Sequence, residues 1–430
     1  MAAKLNTAPY RGTRDFLPEE MSMRSQVFGT LYRVIESYGY TRYDGPTLES
    51  IELYEAKSSQ EIVGEQLYRL TDRSGRELAI RPEMTPSVAR IVAANAPRLQ
   101  FPVRWYTHAN CHRYERPQRG RIREHWQINV DIFGSESVEA EVEIFELIHR
   151  IFAALGATPA DFVLRVSDRR LIGGALATYA RVTSDQLKEV SRVIDRWEKY
   201  PIGEVQAALS RIGLDDEQVE RVCALVALDL DAYAQIVPHE ELMRSSVARI
   251  FREQLTEAPL KFDPLIVRGF DYYTSTVFEV FDVSPENRRS LFGGGRYDNL
   301  VALFNDRRIP GIGFGMGDVT LFDFLETHRL LPQPAIGPDV CVIALSADVR
   351  APARAIADEL RAAGLRVITP LEQQGLAKEL KHAARRGTRF AVIVGEDELA
   401  RGNVVLRELA RSEQREVARS RLCEAVRQGA

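Results

Sequence analysis

Between Cys111 and Gly134 the chain reads CHRYERPQRGRIREHWQINVDIFG, and this stretch narrows the fold more than any other. Its second half alternates: Gln127, Asn129 and Asp131 fall on one face, Ile128, Val130 and Ile132 on the other. A strand sends successive side chains to opposite faces, so the segment has one apolar wall and one row of amides and acid. The preceding Val103 to Arg113 also reads as a strand, with Ala109, Cys111 and Arg113 on a common face. Thirteen residues separate Arg113 from Gln127, including Arg116, Arg119, Arg121 and Arg123 around Gly120. The simplest arrangement is two antiparallel strands joined by a long basic loop. Long loops in compact domains are usually functional or disordered. Planar guanidinium forks suit phosphate; a basic tip taken alone is more often a solvated hairpin end, and what flanks this loop reverses that balance.

With 430 residues the chain is long enough for two or three domains. A net charge of −4 means that any contact with nucleic acid must come from local patches. Cys111, Cys223, Cys341 and Cys423 form no CxxC pair, which points to a reducing compartment and against cysteine-pair zinc. His108 and His112 share a strand face opposite Cys111, with His125 across the loop, so a tetrahedral site is awkward and no metal site from His or Cys is expected. No apolar run reaches the ~18 residues of a membrane span, and the start of the chain lacks a signal-peptide core. The expectation is a cytoplasmic protein that does not enter a membrane.

Upstream, Val27, Leu31, Val34, Ile35 and Tyr38 recur at helical spacing up to Gly39. Pro46 then interrupts an extended segment, which marks a sheet edge or an interface. Such an edge needs cover, and a partner subunit is one way to supply it. Leu67 to Leu70 and Glu77 to Ile80 flank a DRSG turn. In IRPEMTPSVAR, Glu83 and Thr85 would point the same way in extended chain, offering an acid and a hydroxyl. Thr85 before Pro86 also fits a helix N-cap, and the two roles are compatible. Glu139 to Leu155 reads as an amphipathic helix under the hairpin.

From about 171 to 259 the pattern is helical and carries no recognisable chemistry. Strand signals resume at Leu265, and RGFDYYTSTVFEVF sets Arg268, Tyr272 and Tyr273 before a β-branched run. FGGGRYDNL and IPGIGFGMGDVTLFDFL follow, with glycines that permit close packing or close ligand approach. Neither a Walker A nor a Rossmann fingerprint is present. After LLPQPAIGP the pattern alternates β and α from Val340 onward, giving a mainly parallel sheet that ends in a hairpin and a short helix.

Taken together these stretches resemble class II aminoacyl-tRNA synthetases, and specifically the histidyl-tRNA synthetase family. The similarity covers nearly the whole chain and is weakest in the helical insertion. YGYTRYDGPTLES resembles motif 1 of the class, a dimer element. WYTHANCHRYERPQRGRIREHWQINVDIFG resembles motif 2, and IPGIGFGMGDVTL stands in the place of motif 3. RGFDYYTSTVFE and GGGRYDNL are similar to the two histidine-specific signatures, and GEDELARGNVVLREL to part of the anticodon-binding domain. The resemblance implies an α+β protein. An antiparallel catalytic sheet flanked by helices would occupy 1–330, with its insertion at about 171–259. A linker at 331–338 would lead to an α/β anticodon-binding domain at 339–430.

The resemblance also implies a chemistry. Histidine attacks the α-phosphate of ATP, and the acyl group then passes to the 3′ end of histidine tRNA, with fixed cations and Mg²⁺ stabilising charge on phosphate. Arg113 and Arg268 would hold the α-phosphate, with Glu115 also at the ATP. Glu83, Thr85 and Gln127 would hold the α-amino group. Asp131 and Tyr273 would bracket the imidazole, with Tyr272 and Tyr297 lining the pocket. Arg116, Gln118, Arg121 and Arg123 would meet the tRNA acceptor end, and the chain would act as a homodimer. One departure stands out: Thr320 occupies the place of the class's motif 3 arginine, and Val319 that of the preceding acid. This feature fits a non-catalytic relative, such as a regulatory subunit of histidine biosynthesis or a tRNA sensor. Arg113, Arg268, the tyrosine pair and the C-terminal unit favour the ligase. A general single-strand nucleic-acid binder needs aromatics along a basic groove, and no such run occurs.

Overall fold

The computed structural model describes residues 5–55, 62–267, 272–372 and 374–428. Arg268 lies outside them. The chain divides into two compact units, one running to Asp15 and then over Gln26–Pro332, the other combining Phe16–Ser25 with the chain from Gln333.

Among the described residues the first unit is organised by eleven strands: β1 (Thr41–Arg42), β2 (Leu48–Ser50), β3 (Tyr68–Thr71), β4 (Glu77–Ile80), β5 (Val103–His112), β6 (Glu124–Phe133), β7 (Phe162–Asp168), β8 (Leu260–Phe262), β9 (Thr276–Asp282), β10 (Ser290–Arg296) and β11 (Gly311–Gly317). Eight of them form one sheet in the order β1-β5-β6-β11-β10-β9-β7-β8, and β2-β4-β3 form a second. In the large sheet the end pairings β1–β5 and β7–β8 are parallel, and those between them antiparallel.

The hairpin expected from the sequence is present: β5 and β6 pair from Val103 opposite Phe133 to His112 opposite Glu124. The alternation in β6 decides which way the sheet faces. Ile128, Val130 and Ile132 belong to one apolar core with Val27, Leu31 and Ile35 of the helix Pro18–Ser37 and with Phe145, Ile148 and Phe152 of the helix Glu139–Ala154. Burying each such side chain stabilises by about 1.5–3 kcal/mol, so a one-residue slip of β6 would expose the apolar row and bury the amides instead. The opposite face is thereby left free for Gln127, Asn129 and Asp131.

Several expectations need correction. The first helix begins at Pro18, nine residues before the apolar periodicity at Val27, because its early turns are mostly exposed and its start rests on proline followed by Glu19 and Glu20. The strand expected from Leu265 is instead β8 at Leu260–Phe262, and Asp263 turns the chain by accepting from the Leu265 N–H at 3.0 Å. Thr85 caps nothing: the helix Thr85–Asn95 takes Met84 as its N-cap residue, with no side-chain cap. Thr85 is inside the helix, one place further on than a cap would sit.

The insertion is helical, from Arg169–Thr178 to Ser246–Glu253, around its own core of Leu171, Leu176, Val190, Leu209 and Val222. The second unit contains β12 (Val340–Ala344), β13 (Val367–Ile368), β14 (Phe390–Val394), β15 (Asn403–Glu408) and β16 (Glu413–Ala418). Their order is β13-β12-β14-β15-β16, parallel across β13, β12 and β14 and antiparallel beyond. Among the described residues no helix is long and apolar enough to cross a membrane.

Candidate active site

A cleft of about 190 Å³ opens on the polar face of the large sheet. Its floor follows from cross-strand register. Gln127, Asn129 and Asp131 of β6 lie opposite Gly317, Gly315 and Gly313 of β11, and Gly315 and Gly313 lie opposite Gly293 and Gly295 of β10. A row of amides and acid therefore borders rows of glycine. A Cβ on Gly313 would come within 2.6 Å of the Asp131 carboxylate, and one on Gly295 within 2.7 Å of the Tyr273 ring. Any side chain there would collide with the neighbouring strands and push Asp131 and Tyr273 out of place.

One end of the cleft is lined by Glu83, Thr85, Gln127, Asn129, Tyr272, Tyr273 and Tyr297. Glu83 and Thr85 reach it from the turn after β4, where the chain enters a helix. The tyrosines arrive from the segments before β9 and after β10, with ring centroids 4.7 Å apart for Tyr272–Tyr273 and 6.0 Å for Tyr272–Tyr297. The Tyr272 hydroxyl donates to Glu83 Oε2 at 3.3 Å. Tyr297 donates to Asp131 Oδ1. Asp131 itself is fully buried and is not among the residues that line the cleft, so the Tyr297 ring is what a ligand meets first. Burial pushes the Asp131 carboxyl up to about 7, opposed by the Tyr297 hydrogen bond. Gln127 Oε1, Asn129 Oδ1 and Asp131 Oδ2 are buried without a hydrogen-bond partner among the described residues. Unpaired buried acceptors are costly, and those of Gln127 and Asn129, which line the cleft, call for donors from outside the chain.

The other end is cationic. Arg113 follows β5 directly; its backbone N–H bonds the Arg123 carbonyl at 2.8 Å and its Nε the Pro82 carbonyl at 3.1 Å, which aims the guanidinium into the cleft. Arg121 lines the same end, 3.7 Å from Glu115. His125, across the loop from His108 and His112, lines it too. Burial, then the Arg113 charge, pushes its imidazole down to about 3, so it presents a neutral ring. Val319 and Thr320 complete this wall. The Thr320 hydroxyl donates to the Leu291 carbonyl, so it is already used by the backbone.

Of the rest of the loop, Glu115, Gly120 and Ile122 line the cleft, whereas Arg116, Gln118 and Arg123 do not. Arg123 lies over the Tyr114 ring at 4.2 Å and bonds the Glu115 carbonyl at 3.2 Å. Gln118 and Arg121 bond each other's backbones at 2.9 Å in a turn, and Gln118 Oε1 accepts from Arg289 at 3.0 Å. Arg116 is exposed. No cluster of three or more His, Cys, Asp or Glu able to hold a metal occurs among the described residues.

A mainly antiparallel sheet, with an arginine closing one strand of its central hairpin and a glycine strand running into a helix, is the catalytic core of a class II aminoacyl-tRNA synthetase. The comparisons resolve the family. The family model for histidyl-tRNA synthetase matches residues 12–319, and that for an anticodon binding domain matches 339–429. A histidine–tRNA ligase of Leptospira biflexa is 42% identical over 95% of this chain and 94% of its own. One from Pyrococcus abyssi is 37% identical over 97% and 98%. The crystal structure of histidyl-tRNA synthetase from Nostoc sp. PCC 7120 superposes with a TM-score of 0.81 at 27% identity, covering 99% of this chain and 100% of that one. The chain belongs to the histidyl-tRNA synthetase family.

Proposed function

We propose that the cleft activates histidine with ATP at its two chemically opposite ends and passes the acyl group to histidine tRNA. The protein is a histidine–tRNA ligase, and family membership makes ATP its second substrate. The observation that carries the reading is the division of the cleft into an end with buried acids, amides and tyrosines and an end with Arg113 and Arg121. An amino acid with an imidazole brings an ammonium and ring N–H donors, which suit Glu83, Gln127, Asn129 and the Tyr297–Asp131 pair. Phosphates suit the arginines.

In this scheme Glu83, Thr85 and Gln127 hold the α-amino group. Tyr272, Tyr273 and Tyr297 enclose the imidazole, with Asp131 orienting the Tyr297 hydroxyl from behind. A buried polar wall that only imidazole satisfies rejects other amino acids far more strongly than an apolar pocket would. Arg113, joined by Arg268 on the strength of the matching signature, stabilises charge on the α-phosphate as the carboxylate attacks and pyrophosphate leaves. Arg121 replaces the charge that Thr320 lacks. Arg123 is stacked elsewhere, which leaves Arg121 as the loop arginine within reach. Mg²⁺ is a hard cation that binds through one or two carboxylates and substrate phosphates, and Glu115 fits as the single protein carboxylate. Bound there with ATP, it would neutralise phosphate charge. Arg116 and Gln118, on the exposed tip, are placed for the acceptor end of tRNA. Exposed Leu48 and the β1 edge beside Pro46 support an isologous dimer, and the absence of paired cysteines supports work in the cytoplasm.

The regulatory-subunit reading gains nothing from the cleft, which keeps both ends, or from the second unit, which matches the anticodon-binding family. The test is charging. Incubated with ATP, labelled histidine and histidine tRNA, the protein should form acid-stable histidyl-tRNA. Retention of label by uncharged protein alone would support a sensor instead.

A further inference from the structure

The insertion's first helix, Arg169–Thr178, opens with two arginines. The helix N-terminus carries partial positive charge, so cations are disfavoured there and the helix itself has no use for them. Asp168 offsets them by capping the helix, accepting from the Arg170 N–H at 2.9 Å. Both side chains then leave the insertion. Arg169 Nη1 donates to the Tyr273 carbonyl at 3.0 Å, while its backbone N–H donates to the Ser275 carbonyl at 3.0 Å. Arg170 lies 3.7 Å from Asp298, the residue after Tyr297. Between them Thr274 ties the two tyrosine segments together, donating from its N–H to the Arg296 carbonyl at 2.7 Å and accepting from the Asp298 N–H at 3.3 Å. The last helix of the insertion joins the same root: Ser245, the cap of Ser246–Glu253, donates to Asp168 Oδ2 at 2.6 Å, and both residues are buried.

We propose that this root, with Arg169 as its chief positioning residue, sets the Tyr272–Tyr273 and Tyr297 segments in their histidine-binding geometry. The insertion is thus mechanically part of the amino-acid end of the cleft, though it contributes no wall to it. A carbonyl held by a guanidinium fixes the peptide that carries the ring, and a shift of about 1 Å in such a group is enough to weaken binding strongly. The inference rests on the assignment of the three tyrosines to histidine.

Steady-state pyrophosphate exchange on the full chain tests it. Arg169→Met should raise the KM for histidine at least tenfold and leave the KM for ATP within twofold, with little change in Tm. Arg169→Lys should restore most of the loss, because an ammonium can donate to the same carbonyl. Ser245→Ala and Arg170→Gln should raise the histidine KM by smaller factors. An unchanged histidine KM in Arg169→Met overturns the inference. So does a parallel rise for histidine and ATP with a fall in Tm that lysine does not rescue, since that marks a merely structural residue. If Arg169→Met does not fold, an unchanged histidine KM in both Ser245→Ala and Arg170→Gln overturns it. Wild-type protein without histidine-dependent exchange would overturn the tyrosine assignment as well, whereas normal exchange with indifferent variants removes this inference alone.

Discussion

At the tyrosine end of the cleft, Tyr272 bonds Glu83, Tyr297 bonds Asp131, and all four side chains are buried. At the arginine end, the Arg121 side chain is 51% exposed and stands 3.7 Å from Glu115. The first end is tied together by its own hydrogen bonds; the second is partly open to solvent. Discrimination among amino acids needs fixed, dry partners, while a highly charged and partly solvated nucleotide can organise flexible cations around itself. The same contrast explains where departures are tolerated. Thr320 and Val319, which stand where the class carries its motif 3 arginine and the preceding acid, both lie at the arginine end.

The largest expected effect tests the fixed cation. Arg113→Ala should lower the rate of adenylate formation by at least ~100-fold, the scale for losing a preorganised charge donor. A near-normal rate in single-turnover assays would move Arg113 out of the reaction.

Next comes the replaced arginine. Arg121→Ala should weaken ATP binding about tenfold or more, ~1.4 kcal/mol, whereas Thr320→Arg should gain nothing, because a second cation beside Arg121 repels. Equilibrium ATP titration of both variants decides this. A tenfold gain in Thr320→Arg would mean that the arginine end is weakened and uncompensated.

A third prediction concerns the buried acid. Asp131 has a carboxyl raised to about 7 by burial, so the folded protein keeps a proton there that the unfolded chain has released above about 4. Its contribution to stability is therefore present at low pH and lost as pH rises through about 7. Asp131→Asn removes that loss. Its Tm relative to wild type should rise by several degrees between pH 5 and pH 8, and a pH-independent difference would show that the acid is not held neutral.

The smallest effect belongs to the loop tip. Gln118→Ala and Arg116→Ala should slow tRNA charging several-fold and leave pyrophosphate exchange unchanged. A matched fall in both reactions would assign these residues to ATP.

What the sequence disclosed follows from the range of the interactions involved. The β6 alternation, the β5–β6 hairpin and the glycine strand entering a helix are local patterns, and the structure has them as expected. The meaning of the glycines was not legible, because it depends on register: Gly313 matters through Asp131 on one neighbour and Gly295 on the other. Parity placed Gln127 and Asp131 on one face but could not show that Tyr297 stands in front of Asp131, since a residue 166 positions away supplies that contact. Thr85 before Pro86 looked like a cap because the motif is short and the helix starts one residue earlier than a threonine cap requires. His125 carried no signal of its own. Only its burial beside Arg113 makes it a neutral ring in the cleft. The insertion carries no recognisable chemistry in the sequence for the same reason: Arg169 and Arg170 are ordinary residues until the fold lays them against Tyr273 and Asp298.

One cleft that reads histidine at its closed end and drives ATP chemistry at its open end should need no tRNA for its first step. ATP–pyrophosphate exchange, measured without tRNA against each standard amino acid, tests it most directly. Exchange should depend on histidine and stay near background with every other amino acid. Exchange that proceeds without an amino acid, or that prefers one other than histidine, would contradict it.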